Sequence, residues 1–124
     1  MSKINRRAVK MYGEALELVK HQTYEICLEA VRQSVASLKF VKNQTHDLCL
    51  EAVKEDGWAL EYVNNQTETV CFEAVRTWGS ALHYVKNQTY DLCLEAATKW
   101  SSAVDWIRDP TIKQRVREKL GIED

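Results

Sequence analysis

The chain repeats itself every 22 residues, and that period constrains its fold more than any other feature. Cys27, Cys49, Cys71 and Cys93 are spaced at this interval. Around them the sequence reads VKHQTYEICLEAVRQSVASLKF, VKNQTHDLCLEAVKEDGWALEY, VNNQTETVCFEAVRTWGSALHY and VKNQTYDLCLEAATKWSSAVDW. A degenerate unit precedes them, with Ala8, Val9, Gly13, Ala15, Leu16 and Val19 in register, and IRDPTIKQRVREKLGIED follows them outside the pattern. A short fixed period marks solenoids and arrays, in which each unit is too small to hold a core and buries its apolar face on its neighbours.

Each unit reads as two helices. Thr23, Thr45, Thr67 and Thr89 stand just before the apolar periodicity, where an N-cap hydroxyl is needed. Glu25, Asp47 and Asp91 follow two positions later and complement the positive end of the helix dipole. The first helix is expected to run to about six residues past each cysteine. Gly57 and Gly79 are expected to break it as C-cap glycines, as is Gly13 in the degenerate unit. A second helix of about two turns follows, burying Ala59, Leu60, Tyr62, Val63 and their counterparts.

At 100° per residue, Leu48, Cys49, Leu50, Ala52 and Val53 cover an arc of roughly 200°, twice the stripe of a helix lying on a single core. Such an arc implies burial on both sides, as stacking demands. Ala30, Ala52, Ala74 and Ala96 recur where helix axes must approach closely. The expected fold is therefore all-α, an α-solenoid of 22-residue helix-turn-helix repeats with polar capping units, forming one domain over residues 1–124. Residues 1–18 are the N-terminal degenerate capping unit, with Asn5, Arg6 and Arg7 in place of the apolar centre. Residues 19–106 are the four repeats. Residues 107–124 are a capping helix, with Asp109 as N-cap, Pro110 at the first helical position, a narrow stripe of Ile112, Val116 and Leu120, and Gly121 closing it.

The segment LCLEAVKEDGWALEYV, residues 48–63, resembles the tandem helical repeats known as domain of unknown function 4116, found in proteins of giant viruses and some bacteria. The shared features are the Leu-Cys-Leu core, the Ala-Val after it, the glycine, and Ala-Leu-x-x-Val. The resemblance covers about residues 12–107. It implies a helical repeat and no activity. The compact Asn-Gln-Thr linker makes the unit shorter than is common in that family.

Composition narrows the function classes. Seventeen Lys and Arg against eighteen Asp and Glu leave a net charge of −1, so no overall field draws the chain to nucleic acid or anionic lipid. No apolar run approaches the roughly 18 residues of a membrane span, and Met1 to Lys10 is polar and basic, unlike a signal peptide. The expected location is cytoplasmic, in the host cytoplasm for a viral protein. The Asn-Gln-Thr sequons at Asn43, Asn65 and Asn87 would carry sugar only in a secreted chain.

The cysteines have no Cys-x-x-Cys spacing and no nearby histidine ligands, and each sits at the centre of the apolar arc. They are expected to be reduced core thiols, with no metal and no cofactor. His21, His46 and His83 hold three different repeat positions. The ladder Glu29, Glu51, Glu73 and Glu95 is expected to pair within its helices with Arg32, Lys54 and Arg76. No catalytic residue is identified, and the chain is not expected to be an enzyme.

Positions that vary between units are free for function. Tyr24, His46, Glu68 and Tyr90 open the first helix and are expected to be exposed. Tyr12, Ser34, Asp56, Trp78 and Trp100 precede the break, Trp58 lies two residues past Asp56 in its own unit, and His83 faces outward on the second helix. Trp78 and Trp100 should be neighbours on one edge, serving either to cover the gap between units or as an interaction hot spot. The expected function is a protein-binding module, of the kind a virus or phage would use to inhibit a host protein, using Trp58, Trp78, Trp100, Tyr24, His46, Tyr90 and His83. The expected assembly is a monomer or small homo-oligomer. The alternative is a nucleic-acid-binding repeat protein, with Lys20, Lys42, Lys86 and Arg108 lining one edge.

Overall fold

The computed structural model describes residues 13–123. Asn5, Arg6, Arg7, Ala8, Val9 and Tyr12 lie outside the described residues. Among those described, 73% are helical and there is no strand. The order is strictly alternating: η1 (Gly13–Leu18), α1 (Tyr24–Gln33), η2 (Val35–Phe40), α2 (His46–Glu55), η3 (Gly57–Tyr62), α3 (Glu68–Thr77), η4 (Gly79–Tyr84), α4 (Tyr90–Lys99), η5 (Ser101–Trp106) and α5 (Pro110–Leu120). The η elements are 3₁₀ helices. Each α-helix packs on the next α-helix and each 3₁₀ helix on the next 3₁₀ helix, which makes two layers with the core between them.

The capping chemistry sets the boundaries. Thr23, Thr45, Thr67 and Thr89 accept from the backbone N–H three residues on, at 3.2–3.3 Å. Each α-helix closes where the N–H of an extended residue (Ser34, Asp56, Trp78 or Trp100) donates to the carbonyl of Ala30, Ala52, Ala74 or Ala96. The carbonyl of that same residue then accepts from the N–H three positions on, starting the 3₁₀ helix. Runs of six residues are long for this geometry. Here each is held by its neighbours in the stack.

Gly13, Gly57 and Gly79 correct one expectation. They do not adopt the left-handed conformation of a C-cap; among the described residues only Gly121 has a positive φ, 67°. Each is the first residue of its 3₁₀ helix, and what requires glycine is proximity. A Cβ on Gly57 would lie 2.5 Å from the carbonyl oxygen of Ala74 in the next unit.

Three residues per turn divide a 3₁₀ helix into three edges. In η3, Gly57 and Leu60 lead into Val63 on the fully buried edge, Ala59 and half-buried Tyr62 face the adjoining units, and Trp58 and Glu61 point outward. In η4 the same edges carry Gly79, Leu82 and Val85, then Ala81 and Tyr84, then Ser80 and His83. The α-helices bury Leu48, Cys49, Ala52 and Val53 and their equivalents, with Leu50 half-buried, in agreement with the wide arc.

A glutamine joins successive units. Gln44 Nε2 donates to the carbonyls of Leu38 and Tyr62 at 3.0 and 2.8 Å, and its Oε1 accepts from the N–H of Asn64 at 2.9 Å. Gln22, Gln66 and Gln88 repeat the pattern. The stack ends on α5, where Asp109 accepts from the N–H groups of Thr111 and Ile112, and Val116 buries the stripe.

Candidate interaction surfaces

The two-layer stack leaves three surfaces on which the candidate side chains gather. The first is the turn from α-helix to 3₁₀ helix. The indoles of Trp78 and Trp100 stack there with centroids 6.4 Å apart and planes inclined by 29°. They remain 52% and 44% exposed. Trp100 also covers Gly79: a Cβ there would meet its indole at 2.4 Å. The expected adjacency holds, and Trp100 spans the junction between units while leaving much of its face in solvent.

The second surface is the outward edge of the 3₁₀ layer. Trp58 meets Tyr84 edge-on at 5.4 Å, and its Nε1 donates to Ser80 Oγ at 3.0 Å. His83 lies 4.9 Å from Tyr84 and 4.6 Å from Trp106. Sequence reasoning placed His83 here, set Trp58 beside the Trp78–Trp100 turn and expected Tyr62 and its counterparts to be buried; instead Tyr62 and Tyr84 are half-buried and Trp106 is 39% exposed. The signal was present: Leu18, Phe40, Tyr62, Tyr84 and Trp106 share one repeat position and grow in bulk along the chain.

The third surface is the linker edge. Grooves of 520 Å³ and 220 Å³ open at equivalent places two units apart. Lys20, Lys42, Tyr24 and Thr45 line the larger, with Cys27; Lys86, Glu68 and Thr89 line the smaller, with Cys71. Between these units His46 Nε2 lies 3.1 Å from Thr67 Oγ1. Tyr24 is exposed, whereas Tyr90 is half-buried beneath the guanidinium of Arg115, 4.0 Å from its ring centroid. That corrects the expectation that Tyr90 stands free: the capping helix supplies a cation to cover it.

The basic residues of this edge are partly engaged within the chain. Lys42 Nζ donates to the carbonyl of Lys20 at 3.1 Å. The guanidinium of Arg108 donates to the carbonyls of His83, Val85 and Lys86, which orients it toward backbone of the preceding unit. The carboxylate ladder departs from expectation too. Arg76 pairs with Glu95 of the next unit at 3.0 Å, so this pairing crosses a junction instead of running along one helix.

The four cysteines are free and buried. The thiols of Cys27, Cys49 and Cys71 point to the linker glutamines, 3.8 Å from Oε1 of Gln22, Gln44 and Gln66. Burial pushes all four thiols up. Cys71 reaches about 11, with Glu68 adding to the rise; Cys93 also reaches about 11, with Arg108 opposing and Asp109 reinforcing. Among the described residues no group of three or more His, Cys, Asp or Glu side chains is placed to hold a metal ion, and no helix is long and apolar enough to cross a membrane. Comparison with protein-family models, with curated proteins and with solved structures finds no match.

Proposed function

We propose that the chain is a non-enzymatic protein-binding module that engages its partner through the Trp78–Trp100 edge. The observation that carries this reading is the exposure of two stacked indoles, 52% and 44%, at a repeat position occupied elsewhere by Ser34 and Asp56. The fold needs no tryptophan there, since two units manage without one. Rigid aromatic side chains lose little entropy on binding and are favoured at the centres of interfaces. The stacked scaffold presents them with little ordering cost.

By analogy with the viral occurrence of the repeats it resembles, we extend the proposal to occlusion of a host protein in the cytoplasm. The engagement of Arg108 with backbone carbonyls favours a protein partner over nucleic acid. The test compares proteins captured from the native host cell by the intact chain and by Trp78→Ala. A partner held by the chain should bind the variant about 30-fold more weakly, roughly 2 kcal/mol, while the folded variant keeps its α-helical circular dichroism. Equal capture by both chains would remove the interface from this edge.

A further inference from the structure

The outward edge of the 3₁₀ layer has a charge bias that the neutral net charge conceals. Among the described residues it exposes the carboxylates of Glu14, Glu17, Glu61 and Asp105 against one cation, Lys39. Beside them runs a column of rings, half-buried at Phe40, Tyr62 and Tyr84 and exposed at Trp106. Electron-rich ring faces next to carboxylates form a surface suited to cations. Lys39 shows how it is used: its Nζ lies 5.2 Å from the ring of Phe40 and 6.0 Å from that of Tyr62 in the following unit, bridging two steps of the column.

We infer that this edge is a docking surface for an extended polypeptide segment carrying a Lys or Arg at every third residue. Packed helices repeat at roughly 8–10 Å, and an extended chain advances about 3.3 Å per residue. Three residues of such a segment therefore match one step of the stack. Each cation meets the ring column of one unit; those at the Tyr62 and Trp106 steps also meet Glu61 and Asp105, with His83 at the Tyr84 step between them. Glu61 and Asp105 flank Tyr62 and Trp106 in sequence. The negative local field is also felt by the Tyr62 hydroxyl, pushed up by desolvation first and then by Glu61, Tyr84 and Glu14. The surface is distinct in residues from the Trp78–Trp100 edge, so the two readings stand or fall separately.

Fluorescence anisotropy of the full chain with a labelled peptide of three Arg-Ala-Ala units tests the inference. Saturable binding is expected at low salt, weakening as salt screens it. Replacing the two carboxylates that flank rings (Glu61→Gln with Asp105→Asn) should weaken it about tenfold. Lys39→Gln should strengthen it several-fold, and Trp78→Ala should leave it unchanged. A peptide of the same composition with its arginines contiguous should bind less tightly, and a Glu-Ala-Ala peptide not at all. Absence of saturable binding, indifference to the carboxamide substitutions, equal affinity for the contiguous or glutamate peptide, or loss of binding in Trp78→Ala would each overturn it. The last result would assign the peptide to the tryptophan edge and leave the proposed function standing.

Discussion

Gln44 Nε2 lies 2.8 Å from the carbonyl oxygen of Tyr62 and 3.0 Å from that of Leu38, so one amide closes the ends of two successive 3₁₀ helices. Its Oε1 accepts from the N–H of Asn64 at 2.9 Å. The three bonds run within and between units at the point where each chain segment leaves a helix with unpaired carbonyls. Gln44→Leu retains the bulk and strands the Tyr62 carbonyl and the Asn64 N–H, while the Leu38 carbonyl keeps the N–H of Val41 at 3.1 Å. The expected loss is about 2–3 kcal/mol, read as a lower urea midpoint at unchanged slope. A midpoint equal to that of the parent chain would mean that water replaces the amide.

This clamp shows where sequence reasoning stopped. Thr45 was legible as an N-cap because a hydroxyl before an apolar run has one common use. The wide arc of Leu48, Cys49, Leu50, Ala52 and Val53 foretold two-sided burial, since helical angles follow from spacing alone. Gln44 is as regular as either, but its partners lie 6 and 18 residues away, and that distance depends on how units stack. The glycines were misread for the same reason. Gly57 stands where a C-cap would, yet its constraint is the carbonyl of Ala74 in another unit. On the surface, Trp78 and Trp100 were legible as neighbours from the period, whereas the partnering of Tyr90 by Arg115 required the path of α5.

Ser37 is fully buried, and among the described residues its hydroxyl has no hydrogen-bond partner. Ala59, Ala81 and Ala103 hold the same repeat position, so the stack already has a tested substitute. A buried hydroxyl loses its water and gains nothing in return. Ser37→Ala should therefore stabilise the chain by about 1 kcal/mol, visible as a rise in Tm. A fall in Tm would show that the hydroxyl is bonded in solution.

The raised thiols predict an alkaline limit. A thiol whose folded pKa exceeds its unfolded value, ordinarily 9.0 here, favours the folded state while protonated on both sides of the equilibrium. That contribution is complete below pH 9 and is lost as pH rises toward about 11, where Cys71 and Cys93 ionise. Tm should be flat from pH 7 to about 8.5 and fall between 9 and 11. Cys71→Ala with Cys93→Ala should flatten that fall. Tyr62, also pushed up by desolvation and its neighbours, leaves a residual slope above pH 10. A double variant with the parent's pH profile would assign the alkaline transition to other groups. At pH 8 the native thiols should react slowly with a thiol reagent, with four recovered on denaturation.

Gly79 and Trp100 are coupled by contact. A Cβ built on Gly79 would lie 2.4, 2.6 and 2.7 Å from Cδ1, Cγ and Cβ of Trp100. Because Trp100 Cβ is among these atoms, rotating the indole cannot remove the clash, and the backbone of one unit must yield. Two effects oppose each other in Gly79→Ala. Its φ is not positive, so alanine reduces unfolded-state entropy and favours folding by about 0.4–1 kcal/mol. Overpacking costs about 1–3 kcal/mol and should prevail, giving a net loss of roughly 1–2 kcal/mol. Displacing Trp100 also disturbs its stack with Trp78, so the near-ultraviolet circular dichroism of the indole pair should weaken. Adding Trp100→Ala removes two of the three close atoms, and the double variant should lose less than the sum of its parts. Strict additivity, or an unchanged indole signal in Gly79→Ala, would mean that Trp100 does not pack over the glycine in solution.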